Sequence, residues 1–132
     1  MDWMKYLLVV VLSGIAGSFT DWLFMGVLFH DKYNAHPEVW RPGRTDARKI
    51  LISTLIGAVG SAAAFAYLLV RAGDITLGHS LAWAALVWIA GPLPLLVING
   101  QWLKIHPLVT CAHALGWLAR FAVTAGIAAW LI

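Results

Sequence analysis

The sequence predicts an all-α integral membrane protein, an antiparallel four-helix bundle of four transmembrane helices joined by short loops. Three observations carry that expectation. Apolar residues make up 61% of the 132 residues and charged ones 11%, whereas a soluble domain carries about 25% charged residues to cover its surface. The apolar residues gather in four runs, each near the ~20 residues that a helix needs to cross a bilayer. The segments between the runs are short and hold helix breakers, so one transmembrane domain over residues 1–132 is expected. The mean hydropathy is +0.82.

The first helix is expected over residues 6–29, with one charge, Asp21, inside it. Its apolar run is too long for a cleaved signal peptide. It also lacks a basic start followed by a small-residue cleavage site, so it reads as a retained helix. The second, 50–70, carries no charge. Gly57 and Ser61, and Gly60 and Ala64, stand four residues apart there, with Ala58, Ala62 and Ala66 beside them. Such spacing lets helices approach closely. It predicts packing on more than one side, either within the bundle or against another copy in a homo-oligomer. Gly14 with Ser18, and Gly116 with Arg120, give the same signal more weakly. The third helix, 81–100, is uncharged but contains Gly91-Pro92-Leu93-Pro94. Pro92 and Pro94 remove amide donors from the carbonyls of Trp88 and Ala90, so a break or kink is expected. The fourth, 108–132, contains His113 and Arg120.

The loops set the orientation. Lys32, Arg41, Arg44, Arg48 and Lys49 lie in the first loop and Lys104 in the third, against Lys5 and Arg71 on the other side. By the positive-inside rule the first and third loops face the cytoplasm and both termini are extracytoplasmic. The formal charge of +3 is therefore an orientation signal and not a nucleic-acid footprint. Trp3, Trp40, Trp102 and Trp130 fall near helix ends, where indoles sit among headgroups. Trp22, Trp83, Trp88 and Trp117 fall deeper, and their N–H groups need partners or water.

Asp21 and Arg120 are the residues most suggestive of a site. A lone charge at the bilayer centre costs about 2.5–3.5 kcal/mol or more, so each should face protein and have a partner. Counted from the first- and third-loop side at helical rise, Asp21 lies ~12 Å deep, His113 ~8 Å and Arg120 ~18 Å. His113 and Arg120 are seven residues apart and share a helix face, with Gly116 leaving room between them. Asp21 is thus expected to pair with Arg120, with His113 nearby. The pair either fixes helix packing or forms a proton- or ion-responsive intramembrane polar site. Pro92 has the same estimated depth as Asp21, ~12 Å. A broken helix beside an intramembrane charge is a transporter feature, and a static kink is the plainer reading. Asn99 and Gln101 add amides near the mouth on that side.

Other residues carry less. His30, Asp31, His36 and Glu38 crowd the first loop and have the right chemistry for zinc, although a solvated loop is the simpler reading, and no metal site is expected. His79 and His106 are boundary residues. Cys111 is the single cysteine, read as a small buried hydrophobe. No phosphate loop, nucleophile elbow or zinc-protease signature appears, so the chain reads as a non-enzyme without cofactors.

The run Trp88-Ile89-Ala90-Gly91-Pro92-Leu93-Pro94-Leu95-Leu96-Val97-Ile98-Asn99 resembles the third helix of a bacterial membrane family, domain of unknown function 1761, in its tryptophan, later proline and asparagine. The apolar last helix fits the family too, and the first helix ending Leu28-Phe29 is similar in placement. The usual Trp-Tyr pair and following proline are missing, since Trp22 is followed by Leu23. The resemblance implies a four-helix protein of a bacterial cytoplasmic membrane and supplies no catalytic residues. Size, helix count and an acid in the first helix are similar to small multidrug transporters, but the rest of their pattern is absent. Membrane lipid and a small-molecule or ion ligand are the expected partners. Binding or transport of a small or lipophilic molecule is one expected function, and a non-transporting structural or assembly subunit is the alternative.

Overall fold

The computed structural model describes residues 2–35, 37, 46–73 and 75–132. These form four long rods, Trp3–Leu28, Ala47–Ala72, Leu77–Trp102 and Pro107–Leu131, each long and apolar enough to span a membrane. The chain is a four-span integral membrane protein. Each rod starts before the apolar run that predicts it, by three residues in the first and second, four in the third and one in the fourth, because polar caps open the helices earlier; the first and fourth end one residue sooner than expected. Asp2 accepts from the amides of Met4 and Lys5, Asp46 from Arg48, Thr76 from His79 and His106 Nδ1 from Leu108. Each cap satisfies amides that the first turn leaves open. The second rod ends at Gly73, whose φ of +85° is the left-handed stop that glycine tolerates best.

Two rods depart from α geometry. Trp22–Leu28 in the first span and Ser53–Gly60 in the second are π-helical. Just past the first of these, the Phe29 amide reaches the Phe24 carbonyl five residues back, at 3.1 Å. The third span is divided at Gly91 (φ −121°, ψ −90°) into Leu77–Ala90 and Pro92–Trp102. Pro92 opens the second piece, in the first turn, where its missing amide would have had no helical partner. The fourth span is unbroken.

The fourth span is the hub. The first, second and third all pack on it, and the first and second also pack on each other. The third rests chiefly on the fourth. Trp88 donates its indole N–H to the Ala114 carbonyl at 2.7 Å. A β-carbon at Gly100 would stand 2.9 Å from Thr110 Oγ1, so the two helices nearly touch there. Towards the termini the first and second spans are zipped together. Tyr6 donates to the Ala63 carbonyl at 3.0 Å, and a β-carbon at Gly14 would meet Val59 Cγ2 at 3.0 Å. Ala58, Ala62 and Ala66 are buried, whereas Gly60 and Ala64 are exposed. Only part of the small-residue signal of the second helix is therefore spent inside the bundle.

Val9, Val10, Phe65, Leu69, Phe121 and neighbouring alanines form the main core at the terminal end. A second cluster lies at the first-loop end. There Tyr33, on a short helix His30–Asn34, packs with Val109 and Ala112 against Met25, Phe29 and Ile105. Cys111 corrects an expectation: it is exposed, not buried. It lies on the outer face of the fourth span, while its neighbours Ala112 and Ala114 are buried.

Candidate functional site

Between the two clusters, the first, second and fourth spans meet at one guanidinium. Arg120 is buried, with 4% of its side chain exposed. Its Nη2 donates to Asp21 Oδ2 of the first span, and its Nη1 donates to the Gly57 carbonyl of the second at 2.5 Å. Its charge lies over the ring of Trp117, 4.3 Å from the centroid. Three kinds of partner thus replace water around a cation that lipid would reject. Nε is buried and has no hydrogen-bond partner among the described residues.

The local sequence makes this possible. Gly17 lies against the arginine stem, where a β-carbon would come within 3.2 Å of Cγ. At Gly57 a β-carbon would stand 3.6 Å from Nη1, an ordinary contact distance, so the guanidinium reaches this carbonyl without depending on glycine. The carbonyl that Arg120 uses belongs to the π-helical stretch, and Ser61 Oγ donates to it as well. Asp21 is the last α-helical residue before the π-helical Trp22–Leu28. π-helical turns are rare and occur often at functional sites.

Asp21 differs from its partner in exposure. It is 30% accessible and forms one wall of a cleft of about 440 Å³. Ser18 and Met25 of the first span, Lys49, Ile50, Ser53 and Thr54 of the second, and His113 of the fourth complete the lining. Mid-span the cleft is mostly apolar, with hydroxyls and one carboxylate. Ser18 Oγ is already engaged by the Gly14 carbonyl at 3.0 Å. The His113 ring meets Tyr33 edge-on, centroids 5.6 Å apart. Tyr33 lies outside the spans, and burial, reinforced by the negative charge of Asp21, pushes its phenol well above the ordinary tyrosine value.

The structure therefore brings Asp21, Arg120 and His113 together. It does not bring the other expected residues to them. Pro92 and Pro94 share an estimated depth with Asp21 but sit on the third span, and no residue of that span lines the cleft. Depth fixes one coordinate only, and the fourth span stands between. Asn99 and Gln101 close the third span, beside the start of the fourth, and are likewise outside the cleft. Of the candidate zinc residues, His36 and Glu38 lie outside the described residues, and His30 Nε2 is 2.7 Å from Asn34 Nδ2.

Sequence reasoning missed Tyr33, Trp117, Gly17, the Gly57 carbonyl, and Ser53 and Thr54. Trp117 was detectable in principle, since it precedes Arg120 by three residues on one helix face. A main-chain acceptor leaves no residue-type signal.

A bundle of four membrane spans, closed around one ion pair with an open cleft on its acidic side, is the class of protein defined here. The chain belongs to the family described as protein of unknown function (DUF1761), which matches residues 8–129. No curated protein and no solved structure matches it.

Proposed function

We propose that this protein binds a small molecule or ion in the cleft beside Asp21, as a carrier or sensor for that solute. One observation carries the reading. Asp21 meets Arg120 through a single oxygen and stays 30% exposed to the cleft. A carboxylate that only held helices together would be best enclosed, since partial hydration weakens the pair. The volume suits a small ligand. Met25 and Ile50 offer apolar surface, Ser53 and Thr54 hydroxyls, and Asp21 an acceptor. This favours a lipophilic solute with one donor or positive group.

The test is water access. In a Cys111→Ser background, Thr54→Cys in membrane vesicles should react with a water-soluble thiol reagent. Ile56→Cys, on the outer face, should not. An unreactive Thr54→Cys would mean a dry cleft and would end this reading. The rival reading, a structural or assembly subunit, draws on the thorough burial of Arg120. It predicts that solute never protects Thr54→Cys from the reagent.

Orientation belongs to the same proposal. The basic residues of the first loop support a cytoplasmic mouth for the cleft, with the termini outside. Reporter enzymes fused at each terminus, active only outside the cytoplasm, check it. The sparsely buried third span, with 6% of its most apolar stretch covered, and the exposed Gly60 and Ala64 are consistent with a homo-oligomer, which cross-linking in the membrane reads directly.

A further inference from the structure

The second span is unevenly supported. From Ser61 to Ala72 it is packed into the bundle, with Ala62, Phe65, Ala66 and Leu69 buried. From Ala47 to Ile52 it has no buried residue, and all six residues are exposed. Between the two lies the π-helical Ser53–Gly60, where only Ala58 is buried. The first span repeats the pattern, with five buried residues in Trp3–Asp21 and none in Trp22–Leu28. Arg120 sits where packing gives way to cleft, and it holds both departures from α geometry. One prong of its fork is on Asp21 at the edge of the first π stretch, and the other is on Gly57 within the second.

We propose that Ala47–Ile52 is a movable wall of the Asp21 cleft, hinged on Ser53–Gly60 and held in place by the Arg120 fork, so that neutralising the Asp21 carboxylate releases it. This rests on the reading of the cleft as a binding site and adds its regulation. A π-helical turn and an α-helical turn of the same residues differ in register, so exchange between them swings whatever lies beyond. Here that is a six-residue helix carrying Lys49 and Ile50, both cleft-lining. The fork is suited to the role because a guanidinium presents two donors in one rigid plane, and can tie two acceptors on different helices at once. A proton on Asp21, or a cationic solute drawn to it, removes one acceptor's charge and loosens the tie.

Among the described residues, the charged and titratable groups around Asp21 are Arg120 and His113 of the fourth span, Lys49 of the second and Tyr33 of the short helix. Any acid response therefore has to be separated from His113, and a substitution does this better than a pH change.

The experiment measures cleft width without solute. Met25→Cys and Ile50→Cys, which line the cleft from the first and second spans, are joined by bifunctional thiol reagents of graded length in the full chain carrying Cys111→Ser. Trp3→Cys and Tyr67→Cys, which share a pocket at the terminal end, serve as the control pair. Asp21→Asn should shift the preferred reagent length for the first pair and leave the control unchanged. Arg120→Lys keeps the charge but cannot hold both acceptors in the same geometry, and should give the same shift. If Asp21→Asn does not fold, Arg120→Lys decides alone. An unchanged length in the folded variants overturns the hinge, as does an equal shift in the control pair. Because no solute is present, that failure leaves the reactivity of Thr54→Cys and its protection by solute, which test the binding reading, standing or falling separately.

Discussion

The stability of the site turns on single atoms. Removing one member of a buried ion pair strands the other and typically costs about 3–5 kcal/mol. Arg120→Gln should cost less than Asp21→Asn, because the partly exposed Asp21 can be solvated by the cleft whereas Arg120 cannot. The double variant should be more stable than the sum of the two losses, with coupling on the order of 0.5–3 kcal/mol. Unfolding in detergent checks both statements. If the double variant shows simple additivity, the contact contributes nothing of its own. Trp117→Leu should cost about 0.5–2 kcal/mol through the lost ring face. Tyr33 gives a pH prediction. Its phenol is held neutral in the fold, so between the ordinary tyrosine value of about 10 and its own raised value the folded state binds more protons than the unfolded. Stability must then fall as pH rises through that window. Tyr33→Phe should flatten this alkaline decline in a thermal melt series, and an unchanged slope would count against the buried phenol. At this scale the sequence was partly legible. Asp21, His113 and Arg120 stood out because charge and imidazole are costly in lipid. Ser53, Thr54 and Tyr33 did not, because hydroxyls and phenols are ordinary there.

Elements were legible in number and type, less so in their ends and irregularities. Four apolar runs translate directly into four spans. Three starts were missed by three or four residues and the fourth by one, because caps are polar and apolar runs cannot reveal them. The Gly91-Pro92 break was visible, since proline has a fixed effect on a helix. Its position around the bundle was not, since linear spacing says nothing about which neighbour a helix chooses. The π-helical stretches had no signature at all. Trp22–Leu28 and Ser53–Gly60 contain no proline, and their residue types are those of any apolar span. Two expectations belong here. Pro92→Ala should leave the reactivity of Thr54→Cys as it is, since the third span stays clear of the cleft. A changed labelling rate would show that the break communicates with Asp21 after all. Gly100→Val should separate the third and fourth spans at Thr110 and destabilise by about 1–3 kcal/mol, read as a lower unfolding midpoint in detergent.

The whole molecule has a slender interior. Alanine supplies much of the main core, and among the described residues the largest fully buried side chain is Leu69. Large apolar residues such as Trp22, Ile56, Trp102 and Trp130 point outward instead. In water that arrangement would be inverted. In lipid it is stable, because helices associate through close contact of small residues and not through hiding their bulk. Gly57 shows what such economy entails. The partner Arg120 finds there is the peptide unit, which every amino acid carries. Side-chain chemistry at position 57 is thus irrelevant to whether that acceptor exists, and only bulk can dislodge the arginine. Asp21 has the opposite character, since almost any replacement erases its charge. One half of the anchorage can drift through small residues without consequence, while the other half is vulnerable to a single codon change.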